Sequence, residues 1–172
     1  MNINNLQSLQ LLVEGGEGFI YENPKSNDEL IKVFKPNVDL KSKERKVKNL
    51  KSKKLPSNVI GPTDIVTENN KFVGYSMKKI DGEEFKKLSN KKFVTSNNIT
   101  NKDIFDMLVD IKKVLDYLHT EDIYVGDLNE QNILFDSNFN TYFIDCDSWS
   151  IENDHCTVAM DLFKDPLLVN DG

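Results

Sequence analysis

The chain has 172 residues, enough for one domain or two small lobes. At 38% apolar and 29% charged it can bury a core and is not disordered by composition, while a net charge of −6 argues against a protein whose whole surface coats nucleic acid. The two cysteines, Cys146 and Cys156, make no disulfide framework and point to a cytoplasmic, reducing setting; there is no leader-like start and no apolar run near the ~20 residues a membrane span needs, so no membrane partner is expected.

Residues 9–13 are apolar and break at Glu14-Gly15-Gly16-Glu17-Gly18, after which Phe19-Ile20-Tyr21 resumes in strand style. Strand, glycine turn, strand is the expected pattern, and glycines let backbone N–H groups approach a phosphate. On its own, such a turn also fits an ordinary hairpin. Leu30-Ile31-Lys32-Val33-Phe34 is a third strand, ended by Pro36. Lys32 interrupts its apolar run, as a solvent-facing residue of an edge strand or as a point charge for phosphate beneath the glycine turn.

Residues 39–55 read as a helix capped by Asp39, with Val47 and Leu50 on one face and a run of lysines on the rest. That run suits a solvated face better than nucleic acid, since no aromatic residues interleave with it. Glu44 is the acid there able to pair with an inward lysine. Residues 64–67 and 71–79 form a hairpin around Glu68-Asn69-Asn70. Strands dominate up to this point and a long helix follows, which places a lobe boundary near Asp81.

Residues 101–120 are the clearest helix, with Ile104, Leu108, Ile111, Leu115 and Leu118 as its core stripe. His119 reads as a capping or packing residue and Trp149 as a packing anchor. Ile133-Leu134-Phe135 and Tyr142-Phe143-Ile144 make a hairpin about Asp136-Ser137-Asn138. Such a hairpin brings Asn132 close to Asp145, with Asp127 in the loop leading in. Two carboxylates and an amide oxygen are hard ligands, suited to Mg²⁺ bound together with a phosphate.

These residues stand in a familiar order, and from about residue 12 to 168 the chain resembles the protein-kinase-like family, in the manner of divergent bacterial and phage-type serine/threonine kinase domains. Gly15 and Gly18 match two loop glycines, Ile20 the valine after them, Lys32 the strand lysine and Glu44 its helix partner. Asp127-Leu128-Asn129-Glu130-Gln131-Asn132 matches the catalytic loop, and Asp145-Cys146-Asp147 stands in place of Asp-Phe-Gly. Val158-Ala159 and Phe163-Lys164-Asp165-Pro166 match the remnant of an activation segment.

The resemblance implies an α+β, two-lobed fold: residues 1–81 as a small antiparallel-sheet nucleotide-binding lobe with one helix, and 82–172 as a truncated, mainly helical catalytic lobe. It implies ATP and Mg²⁺ as cofactors. Gly15, Gly16, Gly18, Ile20, Lys32 and Met77 would contact the nucleotide, with Glu44 holding Lys32. Asn132 and Asp145 would hold Mg²⁺, and Asp127 would accept the proton of an attacking hydroxyl. The implied reaction is phosphoryl transfer to Ser/Thr of a protein or of the chain itself. The alternatives are a pseudokinase acting as a nucleotide-binding interaction module and a small-molecule kinase of the aminoglycoside or choline type.

Val13 stands for the first loop glycine, Val125-Gly126 for His-Arg, Asn129 for a phosphate-directed lysine, Asp147 for the glycine of Asp-Phe-Gly, and Leu167 for a glutamate. With the later helices of the large lobe missing, an apolar surface under the 104–118 helix is expected to be open or covered by a partner subunit.

Overall fold

Alternation along Glu29–Phe34 decides the architecture of the first half. Ile31 and Val33 point to one face of a sheet, while Lys32 and Phe34 point to the other, and all four are buried. The computed structural model describes residues 1–3, 6–126 and 128–151. Its contacts divide the chain into one unit of Met1–Leu55 with Ile60–Ile80, and a second of Pro56–Val59 with the chain from Asp81 onward. The architecture is α+β.

The first unit is a six-stranded mixed sheet. Its strands are β1 (Asn2–Ile3), β2 (Leu11–Glu14), β3 (Gly18–Glu22), β4 (Glu29–Phe34), β5 (Pro62–Glu68) and β6 (Lys71–Lys78), in the order β1-β5-β6-β4-β3-β2. An all-antiparallel sheet was the expectation; β1 corrects it by pairing parallel with β5 at the edge. Ile3 is buried there, so the pairing closes one flank of the sheet with apolar contact. The β5–β6 hairpin turns at Asn69 and Asn70, both at positive φ, the backbone that a tight hairpin requires and that Asn tolerates.

One sheet face packs Ile31, Val33, Val66 and Ile3 together. On the other, Phe34, Phe72 and Tyr75 pack with Val47 of helix α1 (Leu40–Ser52). Asp39 caps α1 through its carboxylate, which accepts from the N–H groups of Lys41 and Ser42. Lys46, Val47 and Leu50 are its buried residues.

Among its described residues the second unit holds α2 (Lys91–Ser96), α3 (Asn101–Thr120) and five short strands: β7 (Glu83–Glu84), β8 (Ile123–Tyr124), β9 (Ile133–Phe135), β10 (Thr141–Phe143) and β11 (Ser150–Ile151). These form a β10-β9-β7 sheet and a β11-β8 pair. Thr100 and Asp103 form a reciprocal capping box at the start of α3. The core stripe of α3 differs from expectation. Met107, Ile111, Val114 and Leu118 are buried, and Leu108 is 49% exposed. Met107 packs with Ile99 and Phe135, which rotates the buried face away from Leu108. Leu108 and Phe105 are therefore exposed apolar residues of this helix. His119 lies exposed at its end, its ring 5.3 Å from that of Tyr124. No described helix is long and apolar enough to cross a membrane.

Glycine is required in the first sheet where strands approach closely. A Cβ on Gly74 would lie 1.9 Å from the Lys32 carbonyl oxygen, and one on Gly18 would lie 2.7 Å from that of Val33. A Cβ on Gly16 would meet nothing within 4 Å. Gly74→Ala is therefore expected to lower the unfolding free energy by about 2 kcal/mol or more, and Gly16→Ala by less than about 0.5 kcal/mol. Urea unfolding of the two variants checks this; equal effects would contradict it.

Candidate functional site

The residues singled out from the sequence fall into two groups, one in each unit. In the first unit Lys32 is only 5% exposed, and its strand is interior, with β3 and β6 on either side. The edge-strand reading of Lys32 is thereby replaced. Its ammonium stands 5.5 Å from the centre of the Phe34 ring and 6.0 Å from that of Tyr75, within the range of cation–π attraction. Gly18, across on β3, would place a Cβ 3.5 Å from Lys32 Cε, an ordinary contact, so it is the Val33 carbonyl rather than the lysine stem that excludes a side chain there. Ile20 pairs in register with Lys32, and Met77 packs at the margin of the Phe34 and Tyr75 cluster.

Gly15 and Gly16 are exposed between β2 and β3, and the Gly15 N–H donates to the Gly18 carbonyl at 2.8 Å. No glycine in the described chain uses positive φ, so what these residues supply is the absence of a side chain. Two acids flank the turn. Glu14 pairs with Lys35 at 2.8 Å and Glu17 with Lys43 at 2.6 Å, so neither stands as an uncompensated charge against an incoming anion. Lys43 also lies 5.4 Å from the centre of the Phe34 ring. Sequence reasoning passed over Lys43 as one more surface lysine. Glu44, one residue on, pairs with Lys48 at 2.7 Å a turn along the helix.

In the second unit the β9–β10 hairpin carries the metal-ligand candidates. Ile133 pairs with Phe143, and the Ile144 N–H donates to the Asn132 carbonyl at 3.0 Å. Asn132 and Asp145 thus share one end of the hairpin. Asp145 has φ 63 and ψ 35, the left-handed region that a non-glycine residue occupies at a cost. It is held there from its C-terminal side: the Ser148 N–H and hydroxyl both donate to the Asp145 carbonyl, at 3.2 and 2.9 Å. Behind them Trp149 is buried, edge-on to Phe143 at 6.1 Å between ring centres. Asp147 is wholly buried in the 3-10 turn Cys146–Ser148.

Asn129 has a scaffolding role that its position in the motif did not announce. It is buried, and its side-chain oxygen accepts from the N–H groups of Gln131 at 2.9 Å and Asn132 at 3.2 Å. This Asx turn delivers the chain to Asn132. A lysine there could not accept those bonds. At the far end of the hairpin, Asp136 accepts from the N–H groups of Asn138 and Asn140, from the Asn140 amide and from the Tyr142 hydroxyl. Burial opposes its charge more than any single bond favours it, but the bonds from Asn140, Asn138 and Tyr142 together prevail and hold the carboxyl below its usual range. Tyr142 is raised in turn, by burial and by donating to Asp136.

Asp127 lies outside the described residues, as do His155, Cys156, Val158, Ala159, Phe163, Lys164, Asp165, Pro166 and Leu167. Among the described residues no three His, Cys, Asp or Glu side chains gather as a metal-holding group. A site using Asn132 and Asp145 therefore needs further oxygens, from Asp127, water or substrate. The chain matches no protein-family model and no curated protein.

Two measurements follow. The native Asp136 carboxyl is depressed, so its stabilisation is present above the unfolded value near pH ~4 and fades as pH falls toward the native value. Asp136→Asn should cost about 1 kcal/mol at pH 7, and the gap to the parent should narrow near pH ~3, read by urea unfolding at both. At Asp145, two variants that both lack the carboxylate should differ: Asp145→Gly should be more stable than Asp145→Ala by about 1 kcal/mol, because only alanine retains the left-handed penalty. Equal stability would contradict the backbone assignment.

Proposed function

We propose that the chain is a compact, kinase-like phosphotransferase that uses ATP and Mg²⁺ to phosphorylate a hydroxyl, with Ser/Thr of protein or of the chain itself as acceptor. The observation that carries this reading is the hairpin end, where a hydrogen bond of 3.0 Å sets Asn132 beside the residue before Asp145 and the turn that follows fixes Asp145 in the left-handed region. An amide oxygen and a carboxylate fit Mg²⁺, which when bound would neutralise charge on phosphate oxygens.

Lys32 supplies a buried positive charge for the α and β phosphates, and the open turn at Gly15 and Gly16 leaves backbone free to approach them. Asp127 takes the proton of the acceptor hydroxyl as its oxygen bonds to the γ-phosphorus. The bond from that phosphorus to the bridging oxygen breaks, and ADP departs with the electron pair. Positioning and charge neutralisation account for most of such a reaction, so a small set of groups suffices. The kinase-like fold and a cytoplasmic setting belong to the same proposal.

The Glu44–Lys48 pair favours a second reading. A helix acid engaged along its own helix departs from the role the resemblance implies for Glu44, as suits a module that holds nucleotide and signals by contact. The two readings separate experimentally. Transfer of labelled phosphate from ATP should require Mg²⁺ and should fall at least about 100-fold in both Asp127→Ala and Asp145→Ala. Undiminished labelling in both variants overturns the catalytic reading; Mg²⁺-dependent thermal stabilisation by ATP without transfer supports the module.

A further inference from the structure

A cavity of about 410 Å³ lies wholly within the second unit, between the β9–β10 turn, α2 and the segment entering β7. Its floor is aromatic: Phe93, Phe135 and Phe139, with Phe93 and Phe135 packed edge-to-face at 6.4 Å between ring centres. Its wall carries Asp81, Glu83 and Asp136, the amide of Asn97 and the hydroxyl of Ser137, and among the described lining residues there is no cationic side chain. The Asn97 NH₂ group donates to the Phe93 carbonyl at 2.9 Å, which leaves the amide oxygen as that residue's acceptor. Rings below and acids or acceptors around are complementary to a positive charge on an apolar stem.

The protein supplies its own example of such recognition at the rim. The Lys87 ammonium forms an ion pair with Glu83 and stands 5.6 Å from the centre of the Phe93 ring. One wall acid and one floor ring thus already bind a cation together. Asp136 has each carboxylate oxygen accepting two bonds from its own turn, so it offers the cavity charge rather than a further contact. Asp81 is exposed at the mouth.

We propose that this cavity binds an aliphatic ammonium or guanidinium ligand, its alkyl stem on Phe93, Phe135 and Phe139 and its charge at Asp81 and the Asn97 amide oxygen. The site is independent of the phosphoryl-transfer reading. Its ligand is either a free organic amine or a lysine or arginine side chain of a protein segment.

The test is titration of the full ¹⁵N-labelled chain with 1,5-diaminopentane, with 1,5-pentanediol as the uncharged analogue at equal ionic strength. The diamine should give saturable amide shifts centred on Gly82, Asn97 and Ser137, and the diol none. Asp81→Asn should weaken binding about fivefold and Phe93→Leu about threefold, each with an otherwise unchanged amide spectrum. Shifts that never saturate, equal shifts with the diol, or undiminished affinity in Asp81→Asn each overturn the proposal. A Leu-Arg-Leu amide peptide forms the second arm. Tighter binding than the diamine assigns the site to a protein segment, and weaker binding assigns it to a free amine.

Discussion

Burying the ammonium of Lys32 inside the first unit is the constraint to which the rest of that sheet answers. A charge removed from water costs several kcal/mol unless its surroundings compensate. The compensation begins with two aromatic faces, Phe34 and Tyr75, set by strand alternation on the same side as the lysine. The neighbouring strands β3 and β6 close in on β4 because Gly18 and Gly74 put no Cβ against the carbonyls of Val33 and Lys32. Helix α1 then covers that face with Val47 and brings Lys43 to the same Phe34 ring. An apolar residue in place of Lys32 would be simpler to pack.

The second unit solves a different problem, that of holding short polar segments in fixed conformations with few regular hydrogen bonds. Side-chain oxygens stand in for a longer ladder. Asn129 shapes the approach to Asn132, Asp136 organises the hairpin turn, and Ser148 clasps the carbonyl of Asp145. Left-handed backbone falls on Asn69, Asn70, Asn98, Asp122, Phe139 and Asp145, and mainly on the residue types that tolerate it. Among the described residues, left-handed turns thus fall on Asn, Asp and Phe139 and never on glycine, while Gly18 and Gly74 stand where strands crowd.

Much of this was legible where the signal is local. Asp39 as a helix cap, the Asn69-Asn70 turn and the bounds of α3 depend on neighbours a few residues apart. The proximity of Asn132 to Asp145 followed from strand–turn–strand logic, and the described hairpin supplies the hydrogen bond. What could not be read depends on distant contacts. Leu108 and Met107 are equally apolar, and only the position of Ile99 and Phe135 decides which is buried. Gly74 sits within a strand and looks expendable until the Lys32 carbonyl is placed beside it. The parallel pairing of β1 and the Glu44–Lys48 pair likewise rest on choices among several partners of equal chemistry.

The placement of Trp149 has an optical consequence. It is the sole tryptophan of the chain, and it is buried against Phe143 directly behind the turn that fixes Asp145. Its emission reports on solvent reaching that turn and on little else, whereas Tyr75, buried in the sheet, belongs to the other unit. Tyrosine is less selective, with Tyr21 and Tyr75 in the first unit and Tyr117, Tyr124 and Tyr142 in the second beside Trp149. A melt followed by tryptophan emission beside the backbone signal, to which the six-stranded sheet of the first unit contributes, would reveal whether the two units open together or in sequence.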